Sequence, residues 1–225
     1  MKYFRVRNSR DWSVVGNKYP QVCDFVKGYK PDVSANGVFA LYDMYIKGFP
    51  ESVNLSGLKL ANGANYTDFL AQGFSFDLFL FNEKAKSVLE TLNIDKEHRI
   101  YPAKVTSLRK KMEKDYFMMK ILSENFHHVD FANSIITREV ENDKVPIEVS
   151  SYQEFMTTYR NMKNREEWDR SIRFSKIQMS QEFYDLKLDL FQIGEINFLW
   201  YVSPKFVNAI EENGLTGLEF EEFDL

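Results

Sequence analysis

Phe198-Leu199-Trp200-Tyr201-Val202-Ser203-Pro204-Lys205, followed after a short amphipathic run by Gly214-Leu215-Thr216-Gly217-Leu218-Glu219-Phe220, reads as a buried strand, a capped helix and a second strand. Ser203 suits a helix N-cap, and Pro204 the first helical position, where a missing N–H costs nothing. Gly214 stands where a helix commonly ends in a left-handed residue. An earlier stretch repeats the pattern: Phe79-Leu80-Phe81-Asn82-Glu83-Lys84 corresponds to Trp200-Tyr201-Val202-Ser203-Pro204-Lys205, and each continues as a helix and a short extended segment. Two strand–helix–strand units of this kind suggest an internal duplication.

Working outward, residues 1–7 alternate and are expected to form an edge strand. Phe74 to Phe81 reads as a buried strand, Ala85, Val88, Leu89 and Leu92 as one face of a helix, and residues 99–105 as extended. The basic run Arg109-Lys110-Lys111-Met112-Glu113-Lys114 reads as a solvated turn before a strand at 116–122. Ser151 and Glu154 have capping-box spacing, and Tyr152, Phe155, Met156, Tyr159 and Met162 then form a helical stripe that belongs to a core. Lys163 to Arg173, around Trp168, reads as an exposed connection. Strands are expected at 172–179 and 184–191, where Leu186, Leu188 and Leu190 would share one face. Strands and helices without regular βαβ alternation predict an α+β fold, with mixed or antiparallel sheets and a few packed helices. The division expected is an N-terminal α+β region, 1–105, and a C-terminal α+β domain, 106–225, or one continuous compact unit.

At 225 residues, 44% hydrophobic and 28% charged, the composition is that of a soluble globular chain with a sizeable core. No run is long and apolar enough for a membrane span, and no signal peptide is visible. A lone Cys23 excludes an intramolecular disulfide. The expectation is a cytoplasmic protein. The formal net charge of −4 is uneven, because Glu211, Glu212, Glu219, Glu221, Glu222 and Asp224 follow the last basic residue, Lys205. These six acids argue against nucleic acid, which needs Lys and Arg, and form the candidate surface for a basic protein partner.

Catalytic signals are sparse. His98, His127 and His128 have no ligands at zinc spacing beside them, and adjacent histidines on a strand would point to opposite faces. Phosphate loops, His-Glu-x-x-His and nucleophile-elbow motifs do not occur. No metal or cofactor is expected. An enzyme or small-molecule-binding domain remains the alternative, using a cleft between the two strand–helix–strand units, with Asp130, His127 and Glu148 as the polar residues that such a cleft would gather.

Tyr116-Phe117-Met118-Met119-Lys120-Ile121, Val129-Asp130-Phe131-Ala132-Asn133-Ser134, the segments 186–191 and 196–202, and the ending from Ser203 to Phe220 together resemble the bacterial immunity protein 11 family, also described as domain of unknown function 1629. The resemblance covers about residues 75–225. It implies a protein that guards a bacterium against a toxin domain of its own polymorphic secretion system. It carries over a role and no catalytic residue. The function expected is therefore a non-catalytic immunity protein that binds and neutralises a cognate, basic toxin, with no membrane partner and no assigned oligomeric state.

Overall fold

A computed structural model describes residues 2–42, 48–75, 77–122, 125–140, 143–164, 172–194 and 196–225, and the statements below concern these. The strands are β1 (Lys2–Asn8), β2 (Val22–Phe25), β3 (Leu55–Leu60), β4 (Phe69–Leu70), β5 (Leu78–Phe81), β6 (His98–Ser107), β7 (Met112–Ile121), β8 (Ile135–Val140), β9 (Asp143–Ile147), β10 (Arg173–Lys176), β11 (Leu190–Gly194), β12 (Asn197–Val202) and β13 (Leu218–Asp224). The helices are α1 (Trp12–Val15), α2 (Glu83–Leu89), α3 (Tyr152–Asn164), α4 (Gln181–Asp185) and α5 (Pro204–Glu212), with 3-10 turns at Val33–Ala35, Val38–Leu41 and Asn125–His128. Mixed and antiparallel sheets with few helices make this an α+β fold.

The ending folds as its residues dictate. The Ser203 side chain accepts the Phe206 N–H, Pro204 opens α5, and Gly214 takes φ +56°. The N–H of Leu215 returns to the Ile210 carbonyl and that of Gly214 to Glu211, closing a Schellman motif. In the earlier unit, Asn82 caps α2 by accepting the Ala85 N–H. The spacing Ser151–Glu154 also marks a helix start, though shifted by one residue. Ser151 Oγ accepts the Glu154 N–H, while the Glu154 carboxylate accepts from Ser150.

The two units are one framework built twice. Phe69 pairs with Phe81, Phe81 with Phe117, and Phe117 with Pro102. In the same order, Leu190 pairs with Val202, Val202 with Phe4, and Phe4 with Glu222. Sheet β4-β5-β7-β6 therefore repeats as β11-β12-β1-β13, antiparallel throughout, with α2 and α5 in equivalent places. The match extends into the connections. Leu122 N–H bonds to Glu97 O as Ser9 N–H does to Gly217 O, and Ser180 N–H bonds to His128 O as Asn65 N–H does to Val15 O. The second copy takes its last strand from the start of the chain.

That topology corrects several expectations. Strand β1 is central, between β12 and β13, because its N–H and C=O groups are paired on both sides. A boundary at 105/106 would cut the β6–β7 hairpin, and it would separate β1 from the C-terminal strands that flank it. The strand expected at 74–81 begins only at Leu78, because the Gln72 side chain accepts the N–H groups of Phe74 and Ser75 and holds them in a turn. The strand expected at 184–191 is instead α4, capped by Ser180, then a loop in which Lys187 has φ +51°. Leu186 is exposed there, and pairing starts at Leu190. The expected strand at 172–179 is shorter, ending at Lys176. Most of the connection around Trp168 lies outside the described residues.

Three cores follow from this plan. The inner faces of the two repeated sheets meet α2 and α5 around Val6, Phe79, Phe81, Met119, Trp200 and Val202, with Phe79 stacked on Trp200 at 5.0 Å. Their outer faces are covered by the two segments inserted between the halves. The described residues of 18–42 and 48–62 cover β4–β7 around Leu58, Leu80 and Met118, and those of 131–140, 143–164 and 172–177 cover β11–β13 around Phe155, Ile177 and Tyr201. The aromatic stripe of α3 is core, as its spacing predicts: Phe155 is buried and Tyr152, Met156 and Tyr159 pack beside it.

Reciprocal hydrogen bonds lock the halves. Asp68 O accepts the N–H of cap residue Asn82, its Oδ1 accepts Asn82 Nδ2 (2.9 Å), and its Oδ2 accepts the N–H and hydroxyl of Thr216 from the other half (both 2.8 Å). Asp189 O accepts the N–H of cap residue Ser203, its Oδ1 accepts Ser203 Oγ (2.6 Å), and its Oδ2 accepts the Asn93 N–H (2.8 Å) from the first half and Lys205 Nζ (3.0 Å). Next to Thr216, Gly217 has φ +102°, and a Cβ there would lie 2.0 Å from Phe69 O, so only glycine permits the approach.

Burial pushes both carboxyls up, but the donors outweigh it and hold Asp68 and Asp189 below the ordinary 3.8. A lowered folded pKa stabilises the fold above the unfolded value, and the contribution is lost as pH falls through the folded value. Asp189→Ala and Asp68→Ala are each expected to cost about 2–4 kcal/mol in urea unfolding at pH 7. The difference from the parent should shrink below pH 4.

Candidate functional site

The repeated framework makes its own comparison, since a residue that departs in kind from its equivalent needs a reason. The seam after β7 is such a place. The turn Asn125–His128 corresponds to α1, so that His127 and His128 stand where the other seam carries Val14 and Val15, as the matching Ser180–His128 and Asn65–Val15 bonds show. Beside these histidines lies a cleft of about 440 Å³, walled by the Asn93–Glu97 loop of the first half, by the histidine turn and by Leu186 and Leu188 of the second.

Asp95 anchors the floor and is 6% exposed. Its Oδ2 accepts Asn125 Nδ2 at 2.6 Å, and Asn125 Nδ2 also reaches Gln192 O at 2.9 Å, tying the loop to β11. The backbone carbonyl of Asp95 lies 2.6 Å from His98 Nδ1. Asn93, whose N–H is held by Asp189, donates from Nδ2 to the carbonyls of Leu186 and Lys187 (2.9 Å each). Both walls are thus fastened by the same lock that joins the halves.

His127 and His128 share a 3-10 turn rather than a strand, so the expectation of opposite faces is corrected: their ring centroids are 4.0 Å apart. Burial lowers the His128 pKa, His127 lowers it further, and Glu182, 3.9 Å from Nδ1, opposes both. His128 is therefore a neutral imidazole at neutral pH. Asp95, Glu97, His127 and His128 line the cleft together with one cation, Lys96. Such a recess accepts hydrogen bonds more than it donates them, which suits a guanidinium or ammonium group. Among the described residues, no three His, Cys, Asp or Glu side chains are grouped to hold a metal ion.

Of the polar residues predicted to gather in a cleft, only His127 is there. Asp130 lies one bridge further along and binds Asn133, and Glu148 is exposed beyond β9. Asp95, Asn125 and His128 had no linear signal as a group, because two separate connections bring them together. Another buried charge pair, Lys120 with Asp77, sits under the first sheet. Burial lowers the Lys120 pKa and Asp77 opposes the shift.

The six terminal acids do not form an unopposed patch. Strand β13 runs antiparallel to β1, which sets Glu219 opposite Arg7 and Glu221 opposite Arg5, and brings Lys2 diagonally to Glu222. Those pairs close to 3.1, 3.8 and 2.7 Å. Glu219 also accepts Ser9 Oγ and the Arg10 N–H at 2.9 Å each. Glu211 and Glu212 are exposed on the last turn of α5, and the Asp224 side chain lies outside the described residues. Three of the six acids of the ending are met by the first strand, whose cations are remote in sequence.

No protein-family model matches the chain, and no curated protein matches it.

Glu219 is held below the ordinary carboxylate range by the Arg10 N–H first, with burial opposing it and Ser9 and Arg7 adding to the lowering. Glu219→Ala is expected to destabilise by about 1 kcal/mol, whereas Glu211→Gln combined with Glu212→Gln should be neutral or stabilise by less than about 0.5 kcal/mol, since two acids at a helix C-terminus oppose its dipole. Thermal unfolding of the two variants checks the order.

Proposed function

We propose that this protein is a non-catalytic immunity protein that binds and neutralises a cognate bacterial toxin domain, and that the seam cleft receives a basic side chain of that toxin. The role rests on the resemblance of residues 75–225 to the immunity family. The single observation that supports the docking place is the acceptor-rich cleft around Asp95, Glu97, His127 and His128, open to solvent and edged by exposed Leu186. A tight binder needs a pre-organised recess that can desolvate an anchor residue. Here the floor is already fixed by Asn125 and the wall by Asn93, so little ordering is left to be done on binding.

The cleft also supports a second reading, a small-molecule site, because a volume of about 440 Å³ lies within the range of ligand pockets. The two readings separate on what fills it. A toxin anchor would enter from a wide interface and draw little affinity from the free side chain alone, whereas a small molecule would bind by itself.

Co-expression with the product of the adjacent toxin gene is expected to protect cells, and the purified proteins to form a complex. Glu97→Lys and His127→Lys should each weaken that complex at least tenfold, about 1.4 kcal/mol, without lowering the melting temperature of the free protein. Absence of both binding and protection in the unaltered protein would sink the immunity role. Full protection by both variants would leave the role and remove the cleft from it. Saturable binding of free arginine or a diamine at micromolar levels, with no toxin complex, would favour the second reading.

A further inference from the structure

The repeated framework exposes a second departure, on the outer face of sheet β11-β12-β1-β13. The strand registers place Arg5 opposite Tyr201 as Met118 stands opposite Leu80, and they place Phe223 where the first half carries Ala103. Met118, Leu80 and Ala103 belong to a closed apolar core. Their counterparts instead open onto a pocket of about 450 Å³. An arginine occupies the site of a fully buried methionine, and its guanidinium lies beside the Tyr201 hydroxyl. Arg5 Nε is buried and has no hydrogen-bond acceptor among the described residues. Its Nη1 lies 3.8 Å from Glu221, a loose pair whose carboxylate side chain is 58% exposed, and Phe223 stacks under the guanidinium at 4.7 Å.

The rest of the pocket is shaped around that donor. Asn197 and Tyr201 bind one another, Asn197 Nδ2 to Tyr201 Oη at 2.9 Å, and so form a fixed polar wall beside it. Arg173 stands exposed at the rim, and Phe174 and Phe223 supply aromatic walls. One inward guanidinium donor, one cation at the mouth and a mostly apolar interior match a single anionic head on an apolar body. A planar carboxylate fits the guanidinium fork side by side, and a doubly charged phosphate finds too few donors.

We propose that this pocket binds a carboxylate carried on an aromatic or apolar body, with the Arg5 guanidinium as its anchor and Arg173 as its outer partner. A bound carboxylate would pair with the accessible edge of the Arg5 guanidinium, which Glu221 holds only loosely at 3.8 Å. The site lies on a different sheet face from the seam cleft and depends on neither reading of it.

Isothermal titration of the full chain with 3-phenylpropionate, its amide and inorganic phosphate tests the proposal, with a short peptide ending in a free C-terminal phenylalanine as a parallel arm. Expected are saturable binding of at least one carboxylate probe, and binding about tenfold weaker or more for the amide and for phosphate. Preference for 3-phenylpropionate would indicate a free acid as the natural ligand, and preference for the peptide a chain terminus. Arg5→Lys keeps the charge and loses the fork, and should lose tenfold or more. Arg173→Gln, at an exposed position, should lose severalfold with an unchanged melting temperature, so the test stands even where Arg5→Lys folds poorly. Equal binding of acid and amide, stronger binding of phosphate, failure of both carboxylate probes, or full affinity in Arg173→Gln together with a folded Arg5→Lys would each overturn the site.

Discussion

Two aspartates hold this molecule in register. Asp68 and Asp189 each sit at the mouth of a β-hairpin, take the N–H and side chain of the helix-cap residue in their own half, and take a backbone N–H from the loop that follows the helix of the other half. One carboxylate thus fixes a helix start, a hairpin end and the contact between halves. The arrangement is reciprocal, as in a two-fold dimer joined into one chain. It also explains why the cleft is pre-formed, since Asn93, held by Asp189, begins one wall of it and fastens the loop bearing Leu186, on the opposite wall.

A framework used twice separates scaffold from specialisation. Where both copies keep the same kind of residue, as with Phe4 and Phe117, Tyr3 and Tyr116, or the stacked Phe79 and Trp200, the residue is serving the core. The two copies diverge sharply where the second seam carries histidines in place of Val14 and Val15, and where Arg5 replaces a buried methionine. Polar groups at apolar positions cost stability unless they are satisfied, and both departures border a cavity. The shared architecture supplies rigidity; the differences supply recognition.

Much of the framework was legible in the residues. Ser203, Pro204 and Gly214 specify their helix through local sterics and local hydrogen bonds, and the pairing of Phe79–Lys84 with Trp200–Lys205 is the correspondence the two sheets obey. Local rules failed where a distant partner intervened. Residues 1–7 read as an edge strand because nothing nearby announces that β12 and β13 will flank them. The alternating leucines at 186–190 imitate a strand, yet Lys187 takes a left-handed conformation and Leu186 stays in solvent at the rim of the cleft. The adjacent histidines were assigned the alternation of a strand, and a 3-10 turn brings their rings together instead.

By itself, the sequence determined the α+β class, the caps and stops of the principal helices and the aromatic composition of the cores. These are properties of near neighbours along the chain, where a side chain meets its own backbone or the next turn. Only the tertiary structure decided that the terminal acids would be met by Lys2, Arg5 and Arg7, that Asp95 and Asn125 would join the histidines in one cleft, and that Arg5 would face a pocket with a nitrogen unpaired. Each of those outcomes joins residues from widely separated parts of the chain. Charge pairing and cavity shape depend on distance in space, which the strand order of the repeated sheets sets and linear spacing does not.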